Sequence, residues 1–151
     1  MGPDHAVAAP MKRERFLRHP EQVAAARRFV ADLLARGSDT RETARLLVSE
    51  TVTSMLDQAP YGRGDGAFEI ACAVDGRRLH VEVSDDGGPA RLRRRVHQVH
   101  PGHGRGLQLV RALASRWGVR EDLAGRTIWF ELDLPGPTAA AQPSRGASSR
   151  R

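Results

Sequence analysis

Two alternating apolar runs separated by a short turn constrain this chain more than any other feature. Phe68, Ile70, Cys72 and Val74 alternate with Glu69, Ala71 and Ala73, while Leu79, Val81 and Val83 alternate with Arg78, His80, Glu82 and Ser84. A period of two marks strands with one face turned to a core. Asp75-Gly76 between them is the dipeptide of a type I′ hairpin turn, in which both central residues take positive φ. An antiparallel hairpin with a dry face is expected, and it cannot cover that face by itself.

Three segments carry the helical period that would cover it. Val23, Ala26, Val30, Leu33 and Leu34 follow His19-Pro20-Glu21, where proline suits a first turn, and Gly37 is the expected C-terminal cap. Ser38 or Asp39 caps the next helix, Asp39 and Glu42 resemble a capping box, and Ala44, Leu47, Val48, Thr51 and Met55 make the stripe. Leu109, Val110, Leu113, Ala114 and Trp117 predict a third helix, ended by Gly118. Further strands are expected at 12–18, on an edge, at 119–122, and at 127–134, where Ile128, Phe130, Leu132 and Leu134 share one face and Ala124-Gly125 makes the preceding turn. The pattern reads as an α/β two-layer sandwich: a mixed, mostly antiparallel sheet of four or five strands, covered on one face by three helices.

A length of 151 residues suits a single domain. Residues 12–135 would form it, with a flexible tail at 1–11 and a disordered basic tail of Pro, Ala, Ser, Gly and Arg at 136–151. No apolar run approaches the roughly 20 residues of a membrane span, and no secretory leader is visible, so a cytoplasmic protein without membrane contact is expected. Cys72, the lone cysteine, has no partner for an internal disulfide and fits the strand pattern as a small core residue. The net charge of +6 raises nucleic acid as a minor alternative partner. Against it, the basic residues collect in the tail and in one loop around Arg91 to Arg95, with no aromatic residues interleaved.

Several polar residues stand where apolar ones would be simpler. Glu50, Ser54 and Gln58 recur four apart, forming a polar stripe beside the apolar stripe of the second helix, either a solvated face or a site held against the core. Asp85 falls on the buried parity where the second strand of the hairpin ends, just before Asp86-Gly87-Gly88-Pro89. A carboxylate there is costly unless hydrogen-bond donors meet it, whether from a ligand or from the turn backbone. Pro60 to Gly66 reads as a loop. From Ala90 to Arg105 the sequence lacks a period; His97, His100 and His103 lie within it, but Pro101 and Gly102 break any helix that would gather them on zinc. Gly102-His103-Gly104-Arg105-Gly106-Leu107 then opens the third helix, where backbone N–H groups favour an anion.

These parts, in this order, resemble the ATP-binding superfamily of histidine kinases, DNA gyrase B, mismatch-repair ATPases and heat-shock chaperones. Four segments resemble more closely the anti-sigma-factor serine kinases of the actinomycete type. They are Leu47 to Ser54, Val81 to Gly87, Gly104 to Leu107 with Trp117-Gly118-Val119, and Thr127 to Leu132. The resemblance implies ATP or ADP as ligand, with Mg2+ bridging the phosphates. Asp85 would accept from the adenine amino group, Gly87 would let the base approach, and the Thr127 hydroxyl would lie near adenine. Gly104, Gly106 and Leu107 would lie by the phosphates, Glu50 would be the general base, and residues 90–105 would be a lid. It implies a bacterial regulator of transcription, often a homodimer, that binds a sigma factor or an anti-sigma antagonist and phosphorylates serine. Three departures matter. Ser54 stands where the family carries the asparagine that helps hold magnesium, Pro89 replaces a glycine, and Gln58 stands where relatives often have histidine. A weak magnesium- and ATP-dependent serine/threonine kinase is therefore expected. The alternative is a non-catalytic interaction module of the same fold.

Overall fold

The computed structural model describes residues 9–57, 66–85, 104–121 and 125–136. Five strands, β1 (Lys12–Leu17), β2 (Ala67–Asp75), β3 (Arg78–Asp85), β4 (Arg116–Glu121) and β5 (Arg126–Asp133), form one sheet in the order β1-β2-β3-β5-β4. All four pairings are antiparallel, so the parallel component of a mixed sheet does not occur among the described residues. Helices α1 (Gln22–Ala31), α2 (Asp39–Asp57) and α3 (Gly104–Leu113) complete the expected sandwich. α2 packs between α1 and α3 and meets the interior strands β3 and β5. Residues 1–8 and 137–151 of the tails expected at 1–11 and 136–151, the loop at 58–65 with Gln58, the segment 86–103 with Gly87, Pro89, the three histidines and most of the expected lid, and residues 122–124 with Asp122 and Ala124 lie outside the described residues. Gly104 and Arg105 at the end of the expected loop belong to α3.

Register explains the core. Ile70, Val83 and Ile128 stand side by side on β2, β3 and β5, as do Cys72, Val81 and Phe130, and all six are buried. Leu47, Val48 and Val52 of α2, each fully buried, close over this inner face. Each large apolar side chain removed from water contributes about 1.5 to 3 kcal/mol. At the sheet edge Phe16 of β1 pairs with Phe68, their rings stacked at 5.3 Å.

Four local expectations are corrected. The hairpin turn is Gly76-Arg77, closed by the pairing of Asp75 with Arg78; only Gly76 has positive φ (60°), the φ pattern of a type II′ turn instead of I′. α1 ends at Ala31 instead of reaching Gly37, because Leu33 and Leu34 tighten into turns whose N–H groups reach back only three residues. Ser38, whose hydroxyl accepts from the Arg41 N–H at 3.2 Å, caps α2; a capping box would need an acid at 41, and arginine stands there. α3 stops at Leu113, and Trp117 and Gly118 belong to β4, because the Ser115 N–H donates to Glu131 and the chain joins the edge of β5.

The outer face of the sheet is charged but paired. Glu131 is 2% exposed with Arg78 Nε at 3.0 Å, and Glu82 receives His80 Nε2 at 3.0 Å and Arg120 Nη2 at 2.9 Å. The hydrogen bond from His80, aided by the Arg120 charge and opposed by burial, holds the Glu82 carboxyl below its ordinary value.

Candidate functional site

Asp85 is the last residue of β3 and shares a row with Phe16, Phe68 and Arg126, which puts it on the inner face with the core. It is 5% exposed. Such a carboxylate needs a compensating charge or donors. The structure supplies one that the sequence pattern did not announce, the guanidinium of Arg18, which forms an ion pair with Asp85 Oδ1. Both side chains are buried, at 8% and 6% exposure. Arg18 follows β1 and its N–H donates to Gly66, so it continues the strand and shares the parity of Phe16. That parity was the available signal, since a charged residue two beyond a core phenylalanine in a strand must find a partner inside.

Thr127, expected near adenine, does not share the row of Asp85. Its hydroxyl meets the Ser84 hydroxyl at 2.9 Å, one row along, and therefore on the outer face. On the inner face the β5 residue opposite Asp85 is Arg126, whose Nε lies 3.5 Å from Glu121. A shift of one residue along a strand exchanges the two faces of a sheet.

On α2, Thr51 is fully buried and donates to the Leu47 carbonyl at 2.7 Å, while Ser54 is buried at 9% exposure. Glu50 is half-buried. Of the stripe, Glu50 and Ser54 thus border the core. α3 begins at Gly104, so Gly104 and Gly106 occupy its first turn, where backbone N–H groups lack helical partners, and Leu107 packs against the core. Among the described residues no three His, Cys, Asp or Glu side chains gather to hold a metal, and no helix is long and apolar enough to cross a membrane.

A buried acceptor at a strand end, polar residues on the central covering helix and a glycine-started helix come together in one two-layer fold. The family model of the histidine kinase-like ATPase domain matches residues 16–132. The chain belongs to this family. No curated protein matches it. Membership in the histidine kinase-like ATPase domain family makes adenine nucleotide the ligand class of the fold, and the residues present suit one. Asp85 offers a water-shielded acceptor for an amino group, and the first turn of α3 offers N–H donors for phosphate.

Proposed function

We propose that this histidine kinase-like ATPase domain is a regulatory module of the anti-sigma-factor kinase kind, binding ADP or ATP and a partner protein, a sigma factor or an anti-sigma antagonist. The observation that carries the nucleotide part is Asp85, a carboxylate kept on the inner face at the end of a central strand. Asp85 would accept from the adenine amino group, and the first-turn N–H groups at Gly104 and Gly106 would face the phosphates. Glu50, half-buried one helical turn before Ser54, would take the proton from an attacking serine hydroxyl. Bound Mg2+ would supply charge neutralisation at the phosphates. Ser54, in place of an asparagine, offers a shorter oxygen for holding that ion, which favours slow transfer and keeps a purely binding role as the second reading. Nucleic-acid binding is disfavoured because arginines on the sheet are already paired, Arg13 with Glu69 and Arg120 with Glu82 among them.

Calorimetric titration of ADP and ATP, with and without magnesium, is the direct test. Binding of ADP with little help from magnesium is expected. Absence of binding for both nucleotides would overturn the reading, and rapid phosphorylation of a serine-bearing partner would overturn the weak-kinase part of it.

A further inference from the structure

The ion pair between Arg18 and Asp85 is built, not incidental. Arg18 continues β1 and Asp85 ends β3, so the guanidinium must pass the start of β2, which lies between those strands, to reach its partner. It crosses at Gly66, the residue that precedes β2 and whose carbonyl accepts from the Arg18 N–H at 3.2 Å. A β-carbon on Gly66 would stand 3.1 Å from Arg18 Cδ, and its φ of +137° lies where side chains rarely go. The missing side chain at Gly66 is therefore the passage through which arginine reaches the carboxylate. Stacked Phe16 and Phe68 lie beside it and keep water away. On the far side Arg126 stands opposite Asp85 and is itself engaged by Glu121.

We propose that Arg18 competes with the nucleotide base for Asp85, so that this arginine, through the passage at Gly66, sets the affinity of the adenine site. The inference rests on the nucleotide reading above. A carboxylate that meets a guanidinium in the ligand-free protein must turn or share its oxygens when an amino group arrives. Exchanging a charged donor for a neutral one weakens apparent binding by the fraction of molecules in which Asp85 is accessible. Arginine suits such a role because its fork stays charged when buried and its planar donors hold a carboxylate in one orientation. Removing it destabilises the free protein but not the complex to the same degree, and a ligand shifts an equilibrium only by that difference.

The experiment measures ADP binding by calorimetry to the unmodified protein, Arg18→Gln, Asp85→Asn and the double variant. Arg18→Gln should bind ADP about tenfold tighter, and the gain should vanish in the Asp85→Asn background. Should Arg18→Gln fold poorly, the unmodified protein answers through nitrogen NMR of the Arg18 guanidinium, whose signals should change exchange rate and position when ADP is added. Equal or weaker ADP binding by a folded Arg18→Gln, or an Arg18 signal indifferent to bound ADP, would overturn the competition while leaving the nucleotide reading in place. No ADP binding by either the unmodified protein or the variant would overturn both.

Discussion

The indole of Trp129 on β5 lies directly over Gly118 on β4, its register partner, so that a β-carbon on Gly118 would stand 2.6 Å from the indole nitrogen. The ring also stacks on His80 of β3 at 5.9 Å, spanning three strands on the outer face. A glycine in an edge strand ordinarily weakens it. Here it makes room for the largest side chain on that face.

Gly118→Ala should therefore destabilise the fold by about 1 to 3 kcal/mol, the usual range for forcing an extra group into a packed site. Urea unfolding followed by tryptophan fluorescence would measure it. An unchanged midpoint would mean that the indole swings aside freely.

Acid should remove a definite part of the stability. The Glu82 carboxyl lies below its ordinary 4.5 in the folded protein, chiefly because His80 donates to it. A folded value below the unfolded one stabilises the protein above about 4.5, and that contribution is lost as pH falls through the lower folded value. Urea midpoints between about pH 7 and about pH 3 should fall less steeply for Glu82→Gln than for the unmodified protein. Parallel curves would show that Glu82 does not couple to folding.

Cys72 reports opening of the core. Burial raises its thiol from 9.0 to about 11, so folding keeps the proton on. Stability from this source is fully present below about pH 9 and is lost as pH rises towards about 11. Alkylation of Cys72 at neutral pH should thus proceed only as fast as the sheet opens, and added urea should accelerate it. Rapid labelling of the folded protein would contradict the burial of this thiol.

Asp85→Ala should cost about 3 to 5 kcal/mol of stability without any ligand, because it leaves the Arg18 guanidinium buried and unpaired. The same variant should bind ADP more weakly by about 1 to 3 kcal/mol, the cost of an unmet hydrogen-bonding group. Thermal melting and calorimetry separate the two effects. Loss of stability with unchanged ADP affinity would make Asp85 purely structural.

Ser54→Asn should raise magnesium-dependent ATP affinity and turnover, since an amide oxygen reaches farther than the Ser54 hydroxyl. Glu50→Ala should abolish phosphate transfer to a serine-bearing partner while ADP binding changes little, because general-base work is separate from holding the base. Radiolabelled phosphate transfer beside calorimetry gives both answers. A Glu50→Ala variant that transfers phosphate normally would remove this residue from the chemistry.

Much of the architecture was legible because it repeats along the chain. The period of two in Phe68 to Val83 and the 3.6 period of Ala44 to Met55 describe which face meets the helices, and the residues on it are buried except Val74, which is half-buried; Ala71, Ala73 and His80 on the other face are buried as well. Asp85 was legible for the same reason, as a carboxylate on the buried parity of β3. Ends of elements were less so. Leu33 and Trp117 continue helical stripes in sequence, yet α1 and α3 stop before them, because turn hydrogen bonds and pairing with β5 offered those residues better partners than another helical turn.

By itself the sequence determined the layers, the dry face of the hairpin, the stripe holding Glu50 and Ser54, and the superfamily resemblance that the family match supports over residues 16–132. These follow from periodicity, which is local. Only the tertiary structure decided that Arg18 meets Asp85, that Thr127 turns away with Ser84, and that Trp129 covers Gly118. Each depends on the register between strands far apart in the chain, and a step of one residue there exchanges inside for outside.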